Sequence, residues 1–101
     1  MSLEQEMQNM VPCESAPDDL AEVRGNWEFG LEVVCEQEDV AYTLNRIGWR
    51  MRVVLRDSDG HFHCHRYQAW DARQGRLSCW TDYIGSDPVK VMKWLCGEEV
   101  E

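Results

Sequence analysis

Trp49-Arg50-Met51-Arg52-Val53-Val54-Leu55-Arg56, then Asp57-Ser58-Asp59-Gly60, then His61-Phe62-His63-Cys64-His65-Arg66-Tyr67: this run decides the fold. Trp49, Met51, Val53 and Leu55 alternate with Arg50, Arg52, Val54 and Arg56, the period of two that marks a half-buried strand. Asp-Ser-Asp-Gly supplies turn formers, with Gly60 able to take a positive φ. Residues 61–68 then return as a second strand, so the run predicts a β-hairpin around which the remaining chain is built.

Upstream, residues 27–36 alternate in the same way. Trp27, Phe29, Leu31, Val33 and Cys35 fall on one side, and Glu28, Gly30, Glu32, Val34 and Glu36 on the other. One strand carries Glu outside its apolar row and the other carries Arg. Antiparallel pairing therefore predicts Glu28, Glu32 and Glu36 on one exposed face with Arg50, Arg52 and Arg56. Each such pair is worth roughly 0.2–1 kcal/mol. Burial of the apolar rows, at roughly 1.5–3 kcal/mol per side chain, dominates. Residues 37–48 read as an extended continuation with a turn at 45–48.

Downstream, residues 69–75 read as a hairpin loop. Leu77, Cys79, Thr81 and Tyr83 alternate with Ser78, Trp80 and Asp82 as a fourth strand. Ser86 or Asp87 as N-cap, with Pro88 in the first turn, opens a helix that stops at Gly97. Val89, Met92, Leu95 and Cys96 give that helix an apolar side. A short helical turn is expected over 17–25, with acids suited to its N-terminal dipole and Gly25 as its stop.

The expected architecture is α+β: a four-stranded antiparallel meander with a C-terminal helix packed on one face, a short N-terminal helical turn and a flexible acidic tail. The other face should be wet and charged. Residues 1–16 are read as that tail and 17–101 as one domain, in keeping with a chain of 101 residues.

Charge is unevenly distributed. The net charge is −9. Residues 1–45 hold eleven acids against Arg24 alone, a balance of −10, whereas residues 46–101 hold nine bases and eight acids. Such a charge opposes general affinity for nucleic acid or anionic membrane. Five cysteines at wide spacing, no C-x-x-C pair, no basic-then-apolar leader and no long apolar run predict a cytoplasmic protein with free thiols.

No phosphate loop, nucleophile elbow or spaced carboxylate pair is present, so neither an enzyme nor a cofactor is expected. The leading expectation is a binding protein, an adaptor or inhibitor, that meets a basic partner, such as one that itself binds nucleic acid, through Glu22, Glu28, Glu32, Glu36, Glu38 and Asp39. Spaced carboxylates of this kind can act as a nucleic-acid mimic.

Two alternatives stand beside it. His63 and His65, ~6.6–6.8 Å apart along one strand face, could share a metal with a ligand from a neighbouring strand or serve a redox-responsive protein. Their other reading is a solvated polar face beside Arg50 and Arg52, with Phe62 and Cys64 inside. Arg50, Arg52, Arg56 and Arg66 with adjacent aromatics could grip single-stranded nucleic acid. The acidic total argues against that grip.

Overall fold

The computed structural model describes residues 13, 15–27, 30–42, 47–70 and 77–98. Among them the order is α1 (Asp19–Trp27), β1 (Glu32–Tyr42), β2 (Ile47–Arg56), β3 (Phe62–Ala69), β4 (Ser78–Gly85) and α2 (Pro88–Leu95). The strands form one antiparallel sheet in the order β1-β2-β3-β4, the expected meander. Residues 1–12, 14, 28–29, 43–46, 71–76 and 99–101 lie outside the described residues, and with them Glu28; Ile47 and Gly48, expected in a turn over 45–48, open β2 instead, where they pair with Tyr42 and Ala41. Within the segment expected as tail, Cys13 and Ala16 pack into a core, and the Cys13 N–H donates to the Ile47 carbonyl at 3.1 Å.

β2 is buried on both faces. Trp49, Met51, Val53 and Leu55 form the first core with Tyr67 and Ala69 of β3 and with Leu20 and Trp27 of α1. Val54 joins Cys64, Val91 and Trp94 in a second core on the opposite face. Val53 and Val54 are both fully buried although adjacent. So α1 covers the long apolar row, and α2 lies on the arginine side of the sheet, which is half covered rather than wet. The lone apolar residue between Arg52 and Arg56 is what makes this second core possible.

Three local differences from the sequence reading have physical causes. First, α1 runs through Gly25 to Trp27, because Leu20, Val23 and Trp27 form one helical stripe whose far end is a core anchor. The Trp27 indole N–H donates to the Tyr67 hydroxyl at 3.3 Å. Trp27 therefore closes a helix instead of opening a strand, and β1 starts at Glu32 and extends to Tyr42. Second, Val34 is an extra residue, since Val33 pairs with Leu55 and Cys35 with Val54. This bulge reverses which face each later residue of β1 takes. Third, α2 buries Val91 and Trp94 and leaves Val89 and Met92 exposed. Trp94 offers the largest apolar area in the helix, and its indole N–H finds the Asp82 carboxylate at 2.9 Å.

The punctuation at Gly60, Gly97 and Asp87–Pro88 is as expected. Gly60 has φ 82° in the β2–β3 turn, and Gly97 has φ 89° after α2. The Asp87 carboxylate accepts the Val89 N–H at 2.9 Å, with Pro88 in the first turn.

Candidate functional site

β1 is an edge strand, and its sequence Glu-Val-Val-Cys-Glu-Gln-Glu-Asp-Val-Ala-Tyr holds four carboxylates and no cation. The cations come from its neighbours. Glu32 lies opposite Arg56, which donates to it at 2.6 and 3.2 Å. Asp39 lies opposite Arg50, whose Nη2 donates to Oδ2 at 2.7 Å. That guanidinium holds the Asp39 carboxyl below its usual range. These two pairs share the α2 face, as the matched alternation predicted for Glu32 with Arg56.

Glu36 departs from that prediction. The Val34 bulge turns it to the α1 face, opposite Val53, where Arg24 donates to it at 2.9 Å. Glu38 lies opposite Met51 on that same face, 3.5 Å from Arg24, and accepts the Trp49 indole N–H at 3.3 Å. Two carboxylates thus share one guanidinium. Glu22 is exposed on α1 and forms no ion pair among the described residues. Of the six acids proposed from sequence, four are gathered along β1, Glu22 stands on the helix, and Glu28 is outside the described residues.

A groove of about 570 Å³ runs along this edge. Glu36, Glu38 and Asp39 line it from β1, Arg50 and Arg52 from β2, and residues 95–97 from the end of α2. A helix C-terminus carries partial negative charge, which adds to that of Asp39 on the α2 face, while the side chains of Glu36 and Glu38 turn to the α1 face. Arg52 is not a free cation there: its guanidinium donates to the Trp94 carbonyl and lies 5.1 Å from the Trp94 ring centroid. No pairing pattern in the sequence announced the contribution of α2 to this groove.

The arginine face is engaged throughout. Arg50 and Arg56 hold Asp39 and Glu32, and Arg52 holds α2. Arg66 donates to Asp82 at 3.0 Å and lies 4.7 Å from the Trp80 ring centroid. A nucleic-acid backbone would have to displace these contacts to reach the guanidinium groups.

The histidines are not beside those arginines. β3 pairs with β2 so that His63 lies opposite Leu55 and His65 opposite Val53, on the α1 face. Phe62 and Cys64 turn to the α2 face instead. The five-residue connection between Arg56 and Phe62 sets this register. The rings of His63 and His65 are stacked with centroids 6.2 Å apart. Each already has a partner: His63 Nε2 is 2.8 Å from Asp57 Oδ2, and His65 Nδ1 is 3.0 Å from Thr81 Oγ1.

A different set was missed by the sequence reading. Asp57, Asp59 and His61 in the β2–β3 turn bring potential ligand atoms within 4.8 Å of one another. The Asp-Ser-Asp-Gly-His string carried the signal. Asp57 is spent on the turn, however: Oδ1 accepts the N–H groups of Asp59 and His61 at 2.9 and 3.0 Å, and Oδ2 meets His63. The His63 contact, followed by these backbone bonds, lowers its carboxyl pKa.

The thiols divide by environment. Burial, then the nearby Asp82 charge, pushes Cys64 up to about 11, so it stays protonated at neutral pH, on the face opposite His63 and His65. Cys79, expected on an apolar row, is exposed, as is Cys96. Among the described residues no helix is long and apolar enough to cross a membrane. Compared with known proteins, the chain matches no family model, no curated protein and no solved structure.

Proposed function

We propose that this protein is a non-catalytic binding module, an adaptor or an inhibitor, that engages a basic protein surface through the acidic edge of its sheet. One observation carries the reading: the edge strand β1 presents Glu32, Glu36, Glu38 and Asp39 with every cation supplied from elsewhere. Their side chains keep 62, 29, 49 and 53 % of their exposure despite the ion pairs. Exposed pairs of this kind contribute ~0–1 kcal/mol each, so a partner's Lys or Arg can compete for the carboxylates at little cost. Folding does not require eleven acids in the first 45 residues, and self-repulsion opposes them.

Mechanistically, the acidic edge accelerates encounter with an Arg/Lys-rich surface, and that gain fades as salt rises. A partner groove built for nucleic-acid phosphates is the natural complement of such a row, and occupying it would be inhibitory. The test compares wild type with Glu36→Lys/Glu38→Lys/Asp39→Lys against the partner captured by wild type, with the fold checked by circular dichroism. Slower association of the variant, and a salt dependence that shrinks with it, supports the reading. Equal association without salt dependence makes the acidic edge a solubility device.

A further inference from the structure

We propose that β1 receives its partner as a fifth strand, an extended segment whose cationic side chains recur at alternate positions and turn to the α1 face. This rests on the reading of the acidic edge as the binding surface, and adds to it the backbone geometry and the charge pattern of the ligand.

The backbone is free to accept a strand. In an antiparallel pair every second residue of an edge strand turns its N–H and C=O away from its neighbour. β1 has β2 on one side only, and among the described residues no backbone group of another segment bonds to its outer side. Beyond the Val34 bulge, Cys35 to Tyr42 keep an unbroken register with β2. Those eight residues offer roughly 27 Å of regular edge. Main-chain bonds supply affinity in this mode, and alternate side chains supply selectivity.

The two faces of the edge differ in charge, and that difference specifies the ligand. On the α1 face, Glu36 and Glu38 share Arg24, leaving one carboxylate in excess. On the α2 face, Asp39 is held by Arg50, and Gln37 lies opposite Arg52. An incoming strand therefore gains most from Lys or Arg at positions two apart on the α1 face, and less from them on the α2 face, where Asp39 already has an arginine of its own. A strand with basic residues at every position is a poorer fit than one with basic and neutral residues in alternation.

The same charges disfavour self-pairing in the register that centres on Gln37. Antiparallel self-pairing centred on Gln37 would set Glu36 of each copy against Glu38 of the other, and like charges directly opposite are destabilising. In that register the edge repels its own copy, whereas it attracts a basic strand.

The test uses the full chain, ¹⁵N-labelled, with an octapeptide of alternating Lys and Val as probe. Two control peptides of the same sequence carry N-methyl groups on every second amide, one in each phase. Charge is unchanged in the controls, while hydrogen bonding is lost along one edge or the other. The expected result is shift changes over residues 35–42, slowed exchange of alternate amides there, and affinity at least about tenfold lower for one methylated phase, from several lost backbone bonds. If both methylated peptides bind as tightly as the parent, strand addition is overturned while the acidic-edge reading stands. If the parent binds Glu36→Lys/Glu38→Lys/Asp39→Lys as tightly as wild type, or leaves the β1 resonances unmoved, the acidic-edge reading falls with it.

Discussion

The two edges of this sheet solve the same problem by opposite means. An unpaired edge invites any other strand to join it. β4 is short, at eight residues, and is interrupted by a bulge, since Cys64 pairs with Tyr83 and His65 with Thr81, leaving Asp82 over. Its one charge is turned inward, where Asp82 binds Arg66 and the Trp94 indole. What it leaves exposed is apolar or neutral, including Trp80 and Ile84. β1 is longer, at eleven residues, regular beyond the Val34 bulge, and carries carboxylates along that regular stretch. A bulge repels all strands equally, whereas a row of one charge repels its own kind and admits the opposite. On the proposed reading the contrast separates protection from recognition, with β1 serving both.

Breaking the sheet's centre should abolish the contrast altogether. Val53→Asp places a carboxylate at a fully buried position opposite Glu36 and His65. An unpaired buried charge costs several kcal/mol, comparable with the ~5–15 kcal/mol that hold a domain together. The expected outcome is loss of the cooperative thermal transition by circular dichroism.

Trp94→Ala should separate the edges. It removes the main anchor of α2, the ring beside the Arg52 guanidinium and a donor to Asp82, at an expected cost of about 3–5 kcal/mol. Denaturant melts measure the total. Amide exchange should show the larger loss of protection in β4, whose Tyr83 and Asp82 meet α2, whereas β1 gives Cys35 to that core and keeps its ion pairs to Arg24 of α1.

Acidification should act on both, but from the middle of the sheet. Burial, followed by the neighbouring His63, lowers the His65 pKa below its ordinary 6.5. The unfolded chain then binds more protons than the folded one, so stability falls as pH drops from about 6.5 through the depressed folded value. His65→Gln should flatten that part of the Tm-against-pH curve. The lowered Asp57 carboxyl acts in a separate, more acidic window. Its contribution is complete above the ordinary aspartate range and is lost as pH falls through its depressed value, which Asp57→Asn should remove.

The smallest effect belongs to the edge charges themselves. Glu32→Arg breaks the exposed pair with Arg56 and should cost at most about 1 kcal/mol in a denaturant melt. A much larger cost would make the β1 acids part of the fold and weaken the case that they are reserved for a partner.

How much of this was legible in the sequence depended on whether local pattern or tertiary contact decided the outcome. The strands around Asp57–Gly60, the Asp87–Pro88 helix start and the Gly97 stop follow from alternation, capping and turn chemistry, and they stand where those rules put them. The Val34 bulge is invisible to a period-two reading, because Val33-Val34-Cys35 are all apolar enough to fit either face. One extra residue there moved Glu36 to Arg24 and set Asp39 against Arg50. Trp27 suited a strand by pattern, and its hydrogen bond to Tyr67, forty residues away, placed it in a helix. Val54 was the readable trace of a second core: an apolar side chain on a row of arginines has a reason, and here the reason is α2. The acidic edge was legible as a charge imbalance, but its groove needed the end of α2, which no local rule supplies.

The central claim is that partners attach at β1 and not at β4, and zero-length cross-linking tests it most directly. A carbodiimide joins a carboxylate only to a lysine in contact with it, so treating the complex with a captured basic partner and mapping the products by mass spectrometry reads out which acids are engaged. The account predicts cross-links concentrated on Glu36, Glu38 and Asp39, falling away as salt is raised. A complex that forms while its cross-links map to Asp87 beside β4, or to Glu22 on α1, with the β1 acids unmodified by partner lysines, would contradict it.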